Sequence, residues 1–333
     1  MPIYDQNYVT AVITTAGVIG TAYAGYKLYQ SKKPKLPTEW KQVGILKDLY
    51  IYPIKSVGPV VMENAEVTVM GLRQGWLRDR VLMVIDEKNN FITARAFPEL
   101  LTVHPSMKSS VLTLKHADMN VLKVNLAEIV ELGIEKKTAH VWGVPVPVYD
   151  CGFEANEWFS RLLNRDASSF RLAYYASYKP RLLRDHGNFY KFTKNDTGAF
   201  PDEVSYNLIN EASVEELNTR LKDCQVTHQH FRPNFVLKGA GPYDEDNWKF
   251  VKIGENIFEI IKPCTRCVLT TIDPETGVRN SSSEPLQTLK SYRKIVDPVE
   301  RKAAGCSPRM GLQMALRSGP GGRISLNDPI YVA

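Results

Sequence analysis

Two cysteines three positions apart, in the run Lys262-Pro-Cys-Thr-Arg-Cys267, are the residues of this sequence best suited to chemistry. An arginine beside a thiol favours the thiolate, which is both a nucleophile and a metal ligand. A zinc ribbon needs a second such pair, and the nearest residues, His228 and His230, are more typical of surface or core histidines. The β-branched residues that follow predict a strand over residues 268–272, not the helix of a redox motif. Taken alone, the motif is typical of two partly buried structural cysteines.

A second group of candidates consists of cations set among small or apolar neighbours. They are Lys55 followed by Ser56, Arg78 and Arg80 on either side of Asp79, and Arg232 near Asn234. Arginine forks and an ammonium group that converge on one place suit a phosphate-bearing ligand, which serine and asparagine can orient. The alternative is a set of surface charges or structural ion pairs, with Asp79 as the local partner of either arginine.

Composition indicates an ordinary globular protein that must position these groups. The 333 residues are 44% hydrophobic and 23% charged, which excludes disorder, collagen and coiled coil as the main structure and suggests about two domains. The net charge of +6 is partly local, because five lysines lie within residues 27–41, so a nucleic-acid-binding surface is not indicated. Five scattered cysteines favour a reducing compartment over a disulfide framework.

The N-terminus carries a charge-free run at residues 8–26, which is close to the length needed to span a bilayer. Lysines follow the run and none precedes it, so we interpret it as an uncleaved single-pass anchor with the rest of the chain in the cytosol. A short span with basic flanks suits the mitochondrial outer membrane, and the endoplasmic reticulum is the alternative. A helix that lies on a surface or is buried is the other interpretation.

The remainder of the chain is dominated by signals for short strands. Predicted strands and hairpins lie at residues 43–52, 81–95 with a turn at Asn89-Asn90, 235–237, 257–261 and 330–332. Predicted helices cover residues 153–164, residues 213–221 after a capping box at Ser213, and a segment that begins at Asp297-Pro298.

Four segments in this order resemble a known family. IYPIKS, MGLRQGWLRDR, FRPNFVL and CTRCVLTTIDPETG closely resemble the MOSC-domain proteins of the mitochondrial amidoxime reducing component family, from about Leu46 to the C-terminus. The resemblance implies an α+β, mainly β fold. Residues 1–42 would be the membrane anchor and linker, residues 43–180 an N-terminal MOSC-like β domain, and residues 181–333 a MOSC β-barrel.

The resemblance also implies a molybdopterin cofactor whose molybdenum is bound by Cys267, a soft ligand suited to that metal. The other matching cofactor contacts are Lys55, Ser56, Arg80, Asp202, Arg232, Asn234, Thr265 and Arg266. Glu203 and Val204 stand where the family has small hydroxyl residues, and Gln313 replaces a family aromatic residue. These departures affect peripheral contacts. Cys264 is expected either to be structural or to lie behind the metal ligand without binding the metal.

The function implied by the resemblance is the reduction of N-hydroxylated compounds such as amidoximes, hydroxylamines and N-hydroxyguanidines. The resemblance also implies that electrons come from NADH through a flavin reductase and a b-type cytochrome. The sequence has no G-x-G-x-x-G nucleotide motif that could replace them. Two alternatives remain. One is a MOSC protein that carries or sulfurates the cofactor, and the other is a non-enzymatic, membrane-tethered binding protein.

Overall fold

The computed structural model describes residues 36–133, 135–166, 169–181, 183, 190, 193 and 196–333. The chain divides into two units, Met1–Trp40 and Lys41–Ala333. The predicted membrane span at residues 8–26 lies outside the described residues. Within the described ranges, no helix combines the length and apolar character that crossing a bilayer requires.

Strands dominate the described part of the chain, as the sequence predicts. The strands are β1 (Lys41–Ile51), β2 (Val60–Met62), β3 (Asn64–Thr68), β4 (Gly71–Gln74), β5 (Leu77–Arg78), β6 (Leu82–Asp86), β7 (His104–Lys108), β8 (Val111–His116), β9 (Met119–Asn125), β10 (Lys137–Val141), β11 (Val144–Asp150), β12 (Phe170–Tyr175), β13 (Tyr206–Asn210), β14 (Phe235–Lys238), β15 (Phe250–Ile253), β16 (Asn256–Thr265), β17 (Arg309–Leu316), β18 (Arg323–Ser325) and β19 (Pro329–Val332). The α-helices are α1 (Leu126–Glu131), α2 (Phe153–Leu162), α3 (Glu211–Arg220), α4 (Leu286–Tyr292) and α5 (Pro298–Ala304).

Seven strands close into a barrel in the order β1, β14, β13, β17, β16, β15 and β19, after which β19 pairs back with β1. Neighbours are antiparallel except for β13 and β14. Ile45 of β1 shows the closure, because it pairs with Lys238 on one side and with Pro329 on the other. The barrel therefore uses a strand from the N-terminal part of the chain. The predicted domain division between residues 180 and 181 stays a prediction.

Aromatic side chains fill the barrel interior, as expected for a small closed sheet whose inward residues form the core. Tyr206, Phe235 and Phe258 are fully buried, with ring centroids 5.0 to 5.7 Å apart. These rings fix the positions of β13, β14 and β16. The ends of the same three strands carry most of the barrel residues that line the site described below.

Three smaller sheets accompany the barrel. They pair β10, β11, β12 and β6; β18, β3, β4 and β5; and β7, β8 and β9. A second hydrophobic core joins the first and third of these sheets to α2, whose Phe159 is fully buried and whose Trp158 donates to the carbonyl of Asn120 at 2.7 Å. This part of the chain supplies the loops that face the barrel end.

The structure confirms most of the predicted elements and corrects three of them. The predicted hairpin at residues 81–95 is half formed, because Leu82–Asp86 form β6 but only Phe91 returns to it, through a single bridge to Ile85. The predicted strand at residues 268–272 is wrong, because Val268–Thr271 form a 3-10 helix in which Thr270 and Thr271 hydroxyls donate to carbonyls three residues back. The predicted cap at Ser213 is also wrong. Helix α3 begins earlier, at an Asn210 cap, and Ser213 is buried and donates to Glu245.

Candidate functional site

One cavity of about 430 Å³ lies where the ends of β13, β14 and β16 meet the β1–β2, β5–β6 and β10–β11 loops. All nine site residues predicted from the resemblance line it, namely Lys55, Ser56, Arg80, Asp202, Arg232, Asn234, Thr265, Arg266 and Cys267. The structure thus brings together groups that are up to about two hundred positions apart in sequence. The cavity has two chemically different sides.

The thiol side consists of Cys267, Cys264, Arg95 and Gln313. Strand β16 ends at Thr265, and Cys267 follows as the residue that precedes the 3-10 helix. The Arg95 guanidinium lies 3.8 Å from the Cys267 Sγ. Cys264 is buried, and the Gln313 amide lies 3.5 Å from its Sγ. The two thiols therefore differ in exposure, and Cys267 is the partly exposed one.

The basic side consists of Lys55, Ser56, Arg80, Arg232 and Asn234, and the buried carboxylate of Asp79 holds part of it together. Asp79 pairs with Arg80 and accepts a hydrogen bond from Asn234 Nδ2 at 3.0 Å. It also accepts from the backbone N–H of Tyr52 at 2.9 Å. Since Asp79 is 2% exposed, these donors are fixed in place without any ligand.

Arg232, Arg266 and Arg95 form no ion pair with a carboxylate among the described cavity residues. Of the three, Arg266 is buried, and Arg232 and Arg95 are partly exposed. Arg232 donates to the carbonyl of Val57 at 2.8 Å. Arg266 donates to the carbonyls of Met310 and Phe231 at 2.8 and 2.9 Å. Burial lowers the pKa of Arg232 to about 10 and also lowers the pKa of Arg266. A bound anion would offset the cost of keeping these groups charged.

A glycine makes room for Arg266. Gly311 of β17 has φ of +76°, and a Cβ there would lie 2.5 Å from the Leu208 carbonyl oxygen and 3.3 Å from an Arg266 nitrogen. Only glycine tolerates both that backbone angle and that approach. Gly311 therefore allows both the close packing of β17 on β13 and the observed position of the Arg266 guanidinium.

Left-handed backbone conformations are concentrated at the cavity. Ser56, Arg80, Trp142 and Arg232 have φ of 68°, 47°, 53° and 50°. Such conformations are uncommon for residues with a Cβ, and they persist where surrounding contacts enforce them, often at functional sites. Three of the four belong to the residues predicted to hold the cofactor.

Lys55, Asp202 and Trp142 form a chain of contacts across the cavity. Lys55 is 6% exposed, pairs with Asp202 and donates to the Phe200 carbonyl at 2.9 Å. The Trp142 indole donates to Asp202 at 3.0 Å. Burial lowers the pKa of Lys55 despite its partner. Enclosure opposes ionisation of Asp202, but the Lys55 ammonium holds the pKa of this carboxyl well below its ordinary value.

The positions that depart from the family pattern have partners of their own. Glu203 accepts a hydrogen bond at 2.6 Å from Lys262, which is 6% exposed. Val204 is buried. The Gln313 amide oxygen is buried without a hydrogen-bond partner in the described structure. The extra carboxylate of Glu203 is thus neutralised within the cavity wall.

Sequence reasoning missed Arg95 and Trp142. The Arg95 guanidinium lies 5.1 Å from the Trp142 ring centroid, and Phe91 packs against the same ring at 5.0 Å. Trp142 precedes Gly143 in the tight turn between β10 and β11. A turn signal was present there, but nothing in the sequence indicated that this turn faces the β16 motif.

The cavity residues fit a molybdenum cofactor. Cys267 offers a soft donor on one side, and a molybdenum–dithiolene group favours such sulfur ligands. Arg232 and Arg266 line the same cavity without a carboxylate partner among the described residues, and a phosphate-bearing pterin supplies negative charge. The donor set therefore matches both parts of the group.

Two family models match the chain. The MOSC N-terminal beta barrel domain matches residues 43–166, and the MOSC domain matches residues 195–331. Together with the barrel and the cavity, these matches define a two-part MOSC protein, and the MOSC domain is a molybdenum-cofactor-binding domain.

Relatives cover nearly the whole chain. It is 37% identical to mitochondrial amidoxime-reducing component 1 of Mus musculus, over 92% of this chain and 88% of the relative. It is 36% identical to the Homo sapiens protein of that name, over 97% and 92%. It is 35% identical to the Danio rerio protein, over 99% and 96%. The chain belongs to the mitochondrial amidoxime-reducing component family.

Proposed function

We propose that this protein is a molybdenum-cofactor oxidoreductase that reduces N-hydroxylated compounds such as amidoximes, hydroxylamines and N-hydroxyguanidines. The observation that carries the proposal is the single cavity that is lined both by the Cys267 thiol and by the guanidinium groups of Arg232 and Arg266, which have no carboxylate partner among the described residues. The names of the relatives, which describe reduction of amidoximes, support the same substrate class.

In this proposal each side of the cavity has its own task. Cys267 is the protein ligand to molybdenum, with Thr265 and Arg266 contacting the cofactor beside it. Lys55, Ser56 and Arg80 hold the pterin and its phosphate from the first part of the chain, and Asp202, Arg232 and Asn234 hold them from the barrel part. When bound, the cofactor supplies the two-electron redox chemistry that breaks the N–O bond.

The overall reaction consumes two electrons and two protons per substrate, converts the N–OH group to N–H and releases water. The residues of this chain bind and orient the cofactor and the substrate. Arg95 lies beside the Cys267 sulfur. Trp142, which is 41% exposed, forms part of the entrance through which a planar amidoxime group reaches the thiol side.

The electron donors in this proposal are a b-type cytochrome and its NADH-dependent flavin reductase. We place the protein at the mitochondrial outer membrane through a single-pass N-terminal helix with the catalytic part in the cytosol. The mitochondrial names of the relatives support the organelle, and the charge-free run at residues 8–26 supports the anchor. Attachment to the same surface raises the effective concentration of weakly docking redox partners.

The test is turnover of benzamidoxime by the full chain, prepared in a host that makes the pterin cofactor and supplied with electrons by reduced methyl viologen. We expect one benzamidine per substrate consumed. The same chain from a host that cannot make the pterin is the control and should form no benzamidine. A molybdenum-loaded chain that forms no benzamidine would favour the cofactor-carrier alternative.

A further inference from the structure

Tyr52, the residue after β1, lies under the basic side of the cavity. It is 1% exposed. The guanidinium carbon of Arg80 lies 4.8 Å from its ring centroid, and that of Arg232 lies 4.3 Å from it. One ring therefore contacts two cations that both line the cavity.

The backbone of Tyr52 belongs to the same arrangement. Its N–H donates to Asp79 at 2.9 Å, and its carbonyl accepts from the Arg80 N–H at 2.6 Å. Arg80 in turn donates to the Arg232 carbonyl at 3.2 Å. Tyr52, Asp79, Arg80 and Arg232 are thus connected even though Arg232 is 180 positions from Tyr52 in the sequence.

The hydroxyl of Tyr52 does not explain why this ring is present. It is a buried oxygen without a hydrogen-bond partner among the described residues, and such a group normally destabilises a fold. The ring itself has an electron-rich face, which attracts cations and offsets the repulsion between two neighbouring guanidinium groups. The contacts of the residue are therefore made by the ring.

We propose that Tyr52 is a positioning residue whose ring holds Arg80 and Arg232 side by side, so that both guanidinium groups point at the anionic part of the bound cofactor. This inference rests on the proposed function. It assigns to Tyr52 no contact with the cofactor. Because Arg80 and Arg232 have left-handed backbones, their side chains enter the cavity from constrained positions, and the shared ring sets where they lie.

The experiment measures how fast the full, cofactor-loaded chain loses molybdenum during dialysis, using Tyr52→Phe, Tyr52→Leu and Tyr52→Met. The ring is kept in the first variant and removed in the other two, and methionine retains much of the volume. We expect Tyr52→Phe to lose molybdenum at the wild-type rate. The Leu and Met variants should lose it about tenfold faster, since cation–π contacts at buried sites have about this effect.

Tyr50→Leu is the matched control. Tyr50 is 4% exposed, and its ring lies 6.4 Å from that of Tyr52 in the same small core. It stacks on neither Arg80 nor Arg232, so the control should retain molybdenum like the wild type while losing similar packing. Thermal unfolding of all four variants reports the cost to the fold.

The outcomes separate the two proposals. Wild-type rates of molybdenum loss in Tyr52→Leu and Tyr52→Met would overturn the positioning role and leave the proposed function intact. Equal rates of molybdenum loss in Tyr50→Leu and Tyr52→Leu would show that Tyr52 is purely structural and would also overturn the positioning role. Failure of both Tyr52→Leu and Tyr52→Met to fold would do the same. A wild-type chain that never contains molybdenum would overturn the proposed function itself.

Discussion

On the basic side of the cavity, Arg80 and Asn234 are both bonded to the buried carboxylate of Asp79. On the thiol side, the Cys267 Sγ has one long contact within the described part of the chain, to Arg95 at 3.8 Å. The basic side is a preassembled set of donors. The thiol side offers a donor that is still available for another partner. A ligand that has an anionic part and a soft metal suits both sides, because the basic side can bind the anionic part and the thiol can bind the metal.

The difference predicts different consequences of substitution on the two sides. Loss of the Cys267 thiol would remove the proposed bond to the metal, and the other thiol of the cavity, Cys264, is buried beside Gln313. Loss of one cation on the basic side leaves the other cations in place and should weaken retention of the cofactor without removing its chemistry.

The largest effect is expected from Cys267→Ala, because the metal would lose its protein ligand. Benzamidoxime reduction should fall by at least about 100-fold, while the fold survives. Cys264→Ala is the matched control, since Cys264 is buried beside Gln313, and it should keep substantial activity. Normal turnover by the Cys267 variant would show that the ligand assignment is wrong.

A smaller effect is expected from Arg232→Met, which removes a partly exposed cation that has no carboxylate partner among the described residues. Molybdenum should leave this variant about 30-fold faster than it leaves the wild type, because a charge-assisted contact is lost. Arg323→Met on β18 makes the same replacement at an exposed position and should change nothing. Identical retention in the two variants would contradict the role of the basic side.

Arg95→Gln should act on the thiol side and leave retention unchanged. The variant loses the charged contact to the Cys267 sulfur. Substitution of a residue that contacts a metal ligand lowers activity by about tenfold. We expect kcat to fall with the molybdenum content constant, as measured by steady-state kinetics on samples of known metal content. A loss of metal with unchanged kcat per molybdenum would place Arg95 among the cofactor-holding groups instead.

The smallest effect concerns acid stability at the Lys55–Asp202 pair. The pKa of the Asp202 carboxyl is held below its ordinary value, so ionised Asp202 stabilises the fold above about pH 4, and this contribution is lost as the pH falls through the lowered pKa. The difference in Tm between wild type and Asp202→Asn should be only a few degrees near neutrality, because the carboxylate is partly exposed. This difference should shrink toward about pH 3. A difference that stays constant over this range would contradict the ionic role.

The two sides also differ in how much of them the sequence could predict. Apolar residues alternate with polar ones at 43–52, and this pattern predicts a strand because one face of a strand is buried and the other is not. The structure has β1 there. The expected cofactor contacts came from motif resemblance, and all of those residues line one cavity. Spacing alone could not place Lys55 next to Asp202, because their pairing depends on the complete fold.

Arg95 and Trp142 mark the limit of prediction from the sequence. Arg95 contacts a sulfur 172 positions away, and no local pattern encodes such a contact. The 3-10 helix at Val268–Thr271 was mistaken for a strand because the threonine side chains that favour strands can also bond to nearby carbonyls. Cap and turn residues such as Asp297 were predictable, since their partners are local.

The most direct test of the cavity as a molybdenum-cofactor site is the molybdenum content of the full chain, measured by elemental mass spectrometry after purification from a host that makes the pterin. The donor set of Cys267 and the basic side predicts about one molybdenum per chain. A content below about one tenth, in a well-folded protein from a host that loads another molybdenum enzyme fully, would contradict it.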